Sequence, residues 1–226
     1  MIVFIFRVLA TISSAMLFHL VLKKPSGRGR VFFAIGILFV TFWNGLDAIS
    51  STLPDDALWG ARVLIAMILT SVALGSYFIS LSCLYFGKER ISALQRLITV
   101  LPLFVILPLW TVYIPNAEHI AGVGWEIAED EFFLPFIITV MIPPTYGFGN
   151  LIKIYKVVSE EQKKNMGFFI IGLALVVFFP VLIDGVMSSL SMTSVSYGSV
   201  GVVAGCMIMS APYLSKKGRA EKKEVA

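Results

Sequence analysis

The stretch VFFAIGILFVTFWNGLDAISST, residues 31–52, decides the fold of this protein. A helix needs about 20 consecutive, mostly apolar residues to cross the ~30 Å hydrocarbon core of a membrane, and this stretch is long enough. Near its end stands Asp47, and a carboxylate at the centre of a membrane helix costs about 2.5–3.5 kcal/mol. The stretch therefore predicts a transmembrane helix whose aspartate needs a partner.

The composition extends this prediction to the rest of the chain. Of the 226 residues, 58% are hydrophobic and 14% are charged, and apolar runs of membrane-spanning length recur along the sequence. The net charge of +4 does not indicate nucleic-acid binding, because the basic residues are spread over short loops. Cys83 and Cys206 lie within apolar runs, so we expect no disulfide framework.

A hydropathy window of about 19 residues predicts an all-α integral membrane protein, a bundle of seven transmembrane helices. The predicted spans are 2–22, 31–52, 58–86, 91–112, 132–155, 166–190 and 194–214, and a basic cytoplasmic tail follows at 215–226.

The basic residues predict how the bundle is oriented. Apart from Arg7 and Arg62, every Lys and Arg lies in one of four segments that alternate with acidic ones. These segments are 23–30, 88–96, 153–164 and 216–223. By the positive-inside rule we expect a multi-pass cell-membrane protein with its N-terminus outside and its C-terminus in the cytoplasm.

Ionisable side chains inside the predicted spans share one depth. At about 1.5 Å per residue, Asp47 lies roughly 24 Å above the inner boundary of the membrane core. Arg62, Asp184 and Arg7 come out roughly 6–9 Å below the outer boundary. Two carboxylates and two guanidiniums at one level can neutralise each other. The short loop between helices 2 and 3 makes Asp47 and Arg62 the closest expected pair.

Trp43 and Asn44 stand beside Asp47 and complete the predicted polar layer. Three interpretations of this layer remain open. It is a static ion pair that fixes helix register, a switchable site that contacts a ligand, or part of an ion or proton pathway.

Prolines and glycines indicate bending and close packing. Pro180 lies one turn before Asp184 and is a hinge candidate, and the doubled Pro143 and Pro144 predict a bent or locally unwound helix 5. In helix 7, Gly201 and Gly205 are four residues apart, a spacing typical of close helix packing in the bundle or of dimerisation.

Four stretches carry a resemblance to a known family. They are RGRVFFAIGILFVTFWNGLDAI (28–49), LWGARVLIAMILTSVALGSYFISLSCLYFG (58–87), GVGWEIAEDEFFLPF (122–136) and SEEQKKNMGFFIIG (159–172). Together they resemble the N-terminal seven-helix sensor region of prokaryotic histidine kinases. The resemblance implies a receptor-like module that senses a small molecule or the membrane state through its outer half and passes a helix displacement inward.

The kinase domain of that family is absent from the sequence. The signal is therefore expected to leave through a cytoplasmic or membrane partner protein, unless the chain is a fragment of a longer kinase. The expected contacts are membrane lipid, an unidentified small-molecule ligand and this partner, with no nucleic acid.

Other classes of protein are compared by their chemistry. We expect no enzyme, since no nucleophile–base pair or metal-ligand spacing appears. We expect no metal or haem, since His19 and His119 are far apart. Retinal would need a Schiff-base lysine, and 194–214 contain none. A small transporter with three helices on each side of a connecting helix, and a non-catalytic membrane scaffold, stay open as alternatives.

These alternatives predict different cavities. A sensor should have a polar pocket that opens outward beside Asp47, and a transporter should have a midplane cavity between two three-helix halves. A scaffold should lack a cavity and expose Gly201 to lipid. The acidic outer loop at 113–131 is a lid, a tether or simply a solvated surface.

Overall fold

A computed structural model of the protein describes residues 2–23, 27–86, 90–111, 115–121, 123–127, 133–189 and 198–224. In these ranges the chain forms helices α1 (Ile2–Leu22), α2 (Arg28–Ser50), α3 (Leu58–Tyr85), α4 (Ala93–Thr111), α5 (Phe133–Val157), α6 (Glu160–Ser189) and α7 (Gly198–Glu224). Strands β1 (Ala117–Ile120) and β2 (Gly124–Ile127) form an antiparallel hairpin between α4 and α5. The helical prediction is confirmed, and the hairpin is an addition to it.

Five helical segments are long and apolar enough to cross a membrane. They are Ile2–Leu22, Arg28–Ser50, Leu58–Tyr85, Leu134–Val157 and Gln162–Ile183. The apolar parts of α4 and α7, Ala93–Leu109 and Gly198–Leu214, are shorter. The chain is accordingly a helical protein of the multi-pass membrane class.

The helix ends differ from the hydropathy prediction where polar residues continue a helix. α1 has the predicted bounds, whereas α2 begins earlier, at Arg28, and α6 begins earlier, at Glu160. In the first turn of α6, Lys163 Nζ lies 2.6 Å from Glu160 Oε1. α7 continues to Glu224, so most of the predicted tail belongs to this helix. Lys, Glu and Arg are good helix formers, and hydropathy does not detect them.

Helices that are consecutive in the chain are neighbours in space, and α7 returns to pack against α1. α2 packs most extensively on α3, and it also contacts α1. α3 contacts α4 and α5, while α7 packs between α6 and α1. Contact between α5 and α6 is much smaller, and this difference leaves room for the apolar cleft described below.

The core of the bundle lies where most of the helices meet. One buried cluster contains Leu17 of α1, Ile37 of α2, Leu173 of α6 and Val202 of α7. In lipid, such helices associate mainly through close packing, since lipid tails are as apolar as the side chains.

Gly201 and Gly205 allow α7 to approach α6 closely. A Cβ on Gly205 would lie 2.5 Å from the carbonyl oxygen of Gly172, and one on Gly201 would lie 2.7 Å from that of Leu175. Both glycines are buried and face α6. They therefore pack inside the bundle.

The hinge candidates lie in uninterrupted helices. Pro143 and Pro144 are inside α5, Pro180 is inside α6, and all three are buried. The local unwinding that the doubled proline suggests is not observed, because α5 continues as a helix from Phe133 to Val157. A hinge role for these prolines stays a prediction.

Candidate functional site

The hairpin is docked on one end of the bundle, beside the segment that joins α2 to α3. Trp125 is buried, and its Nε1 donates a hydrogen bond to the carbonyl oxygen of Pro54 at 3.1 Å. Gly124 has a φ of +107°, a conformation that side chains disfavour. A Cβ there would collide with Ser51. The sequence thus needs glycine at position 124 for the hairpin to lie this close.

Two polar contacts join the exposed edge of the hairpin to the same end of the bundle. His119 Nε2 lies 3.2 Å from Asp55 Oδ1, and the His119 ring packs edge-on against Trp125. Just before β1, Asn116 Oδ1 accepts a hydrogen bond from Arg62 at 3.3 Å. Such exposed pairs each contribute little, typically below about 1 kcal/mol. They help to orient the hairpin.

Arg7 is the centre of the site. Its side chain is fully buried, at 0% exposure. The Nε lies 2.9 Å from Asp47 Oδ2, at an angle too poor for a hydrogen bond, so the contact is ionic. One terminal nitrogen donates to the carbonyl oxygens of Asp47 at 3.2 Å and Val123 at 3.3 Å. The other contacts the carboxylate of Glu126.

Arg7 therefore joins three elements through one side chain: α1, which carries it, α2, which supplies Asp47, and the hairpin, which supplies Glu126. The carboxylates are more accessible than the guanidinium, at 13% exposure for Asp47 and 23% for Glu126. With both carboxylates ionised, the three groups would carry one excess negative charge. Burial raises the pKa of Glu126 above its ordinary value, nearby Arg7 opposes this shift, and Glu118 adds to it.

The predicted charge layer is assembled differently from the expectation. The ion pair of Asp47 that the structure shows is with Arg7, whereas Arg62 was expected as its closest partner. Arg62 instead donates to Asn116, because its side chain is directed to the hairpin. Asp184 lies in α6, but its side chain is outside the described residues, so its place in the layer stays a prediction.

The neighbours of Asp47 have separate surroundings. Asn44 is buried, and its Nδ2 donates to the carbonyl oxygen of Val40 in its own helix at 2.8 Å. Trp43 lines an apolar cleft. Hairpin residues cover the Arg7 guanidinium beside Asp47, and the outward-opening polar pocket expected there stays a prediction.

Glu126 is the site residue that the sequence analysis missed. It lies in an acidic loop, where a carboxylate is usually solvated, and its partner Arg7 is 119 positions away in the chain. A signal was present in the glycines at 122 and 124, which separate two short segments and are typical of a hairpin turn. That pattern predicts the turn, yet it does not tell which helix end the hairpin covers.

An apolar cleft of about 60 Å³ lies between α2, α3, α5 and α6. Its lining includes Trp43, Gly75, Ile79, Val140 and Val176. On its α3–α5 side, Ser76 Oγ donates to the carbonyl oxygen of Val140 at 2.5 Å. With so few polar groups, the cleft suits hydrocarbon groups and not a charged solute.

In the described ranges, no three His, Cys, Asp or Glu side chains converge in a way that could hold a metal ion. The expectation that the protein uses no metal or retinal remains a prediction from the sequence.

Comparison with known proteins gives no match to a family model, a curated protein or a solved structure. The resemblance to kinase sensor regions therefore stays a prediction carried by the four quoted stretches.

Proposed function

We propose that the protein is a receptor-like seven-transmembrane sensor module, in which the hairpin on the outer side controls the arrangement of α1 and α2. The observation that carries the proposal is the position of Arg7. A fully buried cation of a membrane helix contacts carboxylates on a second helix and on a loop element. Any displacement of the hairpin must change the electrostatic environment of both helices.

The proposed topology places all seven helices across the cell membrane, with the N-terminus outside and the C-terminus in the cytoplasm. It is supported by the four basic segments, which belong on the cytoplasmic side. The hairpin and the 53–57 segment contain no Lys or Arg. In this orientation the start of α1, the end of α2 and the hairpin face outward, where a ligand or the membrane surface can reach the hairpin.

The energetics suit a switch. Loss of the Glu126 contact leaves Arg7 paired with Asp47, so we expect it to cost about 1–3 kcal/mol. A ligand that shifts a two-state equilibrium from 1:99 to 99:1 must favour one state by about 5.5 kcal/mol. Loss of the Glu126 contact would supply part of this difference, and the contacts of a ligand in the open arrangement would supply the rest. The signal leaves through the inner ends of the helices to a partner protein.

The proposal is tested by measuring the distance between the inner ends of α1 and α5 with and without the Glu126 contact. Spin labels are attached to Leu22→Cys and Val157→Cys, both exposed positions near the predicted cytoplasmic side, after replacing Cys83 and Cys206 by alanine. We expect Glu126→Ala to change the label distance by about 2 Å or more, the size of helix shifts in known switches.

The matched control is Glu118→Ala, which removes the cross-strand neighbour of Glu126 from the same hairpin. It should leave the inner distance unchanged. Undocking is monitored by a second label pair, Ala121→Cys and Trp59→Cys. A hairpin that undocks in Glu126→Ala while the inner distance stays the same would refute the sensor proposal.

A small transporter is the second candidate, favoured by the location of the cleft. Its walls come from α2 and α3 on one side and from α5 and α6 on the other, and these pairs belong to the two three-helix halves of such a transporter. Ser76→Cys places a thiol at the cleft. A transporter predicts modification by an impermeant thiol reagent from both membrane sides, and a sensor predicts it from one side at most.

The scaffold alternative is weaker than either of these. It predicts a glycine face of α7 exposed to lipid, whereas Gly201 is buried against Leu175 and Phe179 of α6.

A further inference from the structure

We infer that Arg7 is the binding site for the carboxylate group of an external ligand, and that Glu126 occupies this site as a built-in competitor. The inference rests on the proposed sensor function and names the chemical class of its ligand. In the closed arrangement, the hairpin supplies the carboxylate. In the open arrangement, the carboxylate of a small molecule takes its place.

The first argument concerns which nitrogens of Arg7 contact α2 and which contact the hairpin. The Nε and one terminal nitrogen contact the carboxylate and the carbonyl oxygen of Asp47, so α2 orients the guanidinium, and this terminal nitrogen also donates to the carbonyl oxygen of Val123 in the hairpin. The other terminal nitrogen contacts Glu126. A guanidinium has five N–H donors in a planar fork that matches a carboxylate. When the hairpin leaves, an oriented part of this fork is open to a new acceptor.

The second argument is that the competing carboxylate belongs to a separable element. Glu126 lies in a hairpin with strands of only four residues each, and an isolated two-stranded hairpin is at best marginally stable. Besides the contacts with Arg7, the hairpin is held by polar contacts that include Trp125 with Pro54 and His119 with Asp55. A tethered group of this kind competes at an effective concentration in the mM range. A ligand that makes a few additional contacts can therefore displace it from Arg7.

The third argument is charge. Asp47 already neutralises Arg7 from within the helices, so Glu126 adds a second negative charge to a covered site. Glu118, directly across the hairpin from Glu126, repels it as well. The protein therefore holds Arg7 and Asp47 firmly and Glu126 less firmly. Exchange of Glu126 for another carboxylate leaves the charge of the site unchanged.

The experiment uses the full chain in detergent and acetate as the probe. Glu126→Ala removes the built-in carboxylate and leaves space for a small one. We expect acetate to raise the thermal unfolding midpoint of Glu126→Ala saturably, and to do so at concentrations at least tenfold lower than in the wild type. Chloride at equal ionic strength should have no such effect.

Two controls make the result specific. Glu118→Ala keeps Glu126 and removes its repulsion, so it should respond to acetate no more readily than the wild type, and Arg7→Gln combined with Glu126→Ala should not respond. A folded Glu126→Ala that is indifferent to acetate would overturn the inference, and so would an equal response in the double variant.

A second measurement on the wild type keeps the inference testable if Glu126→Ala fails to fold. Acetate should lengthen the distance between labels on Ala121→Cys and Trp59→Cys as it displaces the hairpin. An unchanged distance up to molar acetate would overturn the inference. If the inner-end distance still responds to Glu126→Ala, then the sensor proposal stands while the carboxylate site fails.

Discussion

Arg7 and Asp47 are separated by 40 positions in the chain, yet the Nε of the arginine lies 2.9 Å from Oδ2 of the aspartate. The pair joins the outer part of α1 to that of α2. Glu126 then extends it to the hairpin. The Asp47 carboxylate, which made residues 31–52 unusual, is thus paired with Arg7 of the preceding helix and not with Arg62 of the following helix.

Replacement of the central arginine should destabilise the protein more than replacement of either carboxylate. Arg7→Gln leaves Asp47 and Glu126 facing each other without a cation, and we expect a loss of about 3–5 kcal/mol in the free energy of unfolding. Asp47→Asn should cost less, about 1–3 kcal/mol, since Glu126 still neutralises Arg7. Denaturant unfolding in detergent measures both values.

The double variant should show that the two residues act together. Arg7→Gln with Asp47→Asn should cost clearly less than the sum of the single losses, because the first change has already broken the contact that the second change would remove. Arg62→Gln, which loses an exposed contact to Asn116, should change stability by less than about 1 kcal/mol. Additive losses would contradict an Arg7–Asp47 interaction.

A methyl group at position 124 should release the hairpin. Gly124→Ala must adopt a φ of +107° and place its Cβ against Ser51, so we expect the hairpin to move away from the bundle. The label pair at Ala121 and Trp59 should report a longer and broader distance distribution. Gly60→Ala is the matched control, because a Cβ there meets no atom within 4 Å. An unchanged distribution in Gly124→Ala would count against tight docking.

The stability contribution of Glu126 should decrease as the pH rises. Burial raises the pKa of its carboxyl above the ordinary value of 4.5. The folded protein then binds the proton more tightly than the unfolded chain, so the contribution is present below the unfolded pKa and is lost as the pH passes the folded pKa. Compared with Glu126→Gln, the thermal midpoint of the wild type should therefore fall as the pH rises above 4.5.

Glu118→Gln serves as the control for this pH series, since it alters the same hairpin without touching Arg7. Because the charge of Glu118 helps to raise the pKa of Glu126, this variant should keep the fall in the thermal midpoint but show it at lower pH. A wild-type midpoint that rises relative to Glu126→Gln with increasing pH would show that the attraction of Arg7 outweighs burial.

The contact between α6 and α7 should be sensitive to single methyl groups. In Gly205→Ala the new Cβ would lie 2.5 Å from the carbonyl oxygen of Gly172. The helices must then separate, at a cost of about 1–3 kcal/mol. Gly167→Ala lies in α6, where a Cβ meets no atom within 4 Å, and should be neutral or slightly stabilising. Equal thermal midpoints for the two variants would contradict close packing.

Much of the helical framework follows from local properties of the sequence. An apolar run of membrane length must satisfy its backbone hydrogen bonds internally, so it forms a helix wherever it occurs. This is why the predicted and observed bounds of α1 coincide, and why α3 begins at Leu58 as predicted. The errors lie at polar ends such as that of α7, because hydropathy measures partition into lipid and not helix propensity.

Depth along each helix is also set by the sequence, and it placed Arg7 and Asp47 at one level. Which helices meet at that level depends on packing between segments far apart in the chain, and no local pattern records it. The tertiary structure alone decided that Arg7, rather than Arg62, contacts Asp47. Glu126 lies in a polar loop in the sequence but contacts the buried guanidinium in the fold. Ion pairs form between charges that the folded helices and hairpin place close together, since their attraction depends on distance.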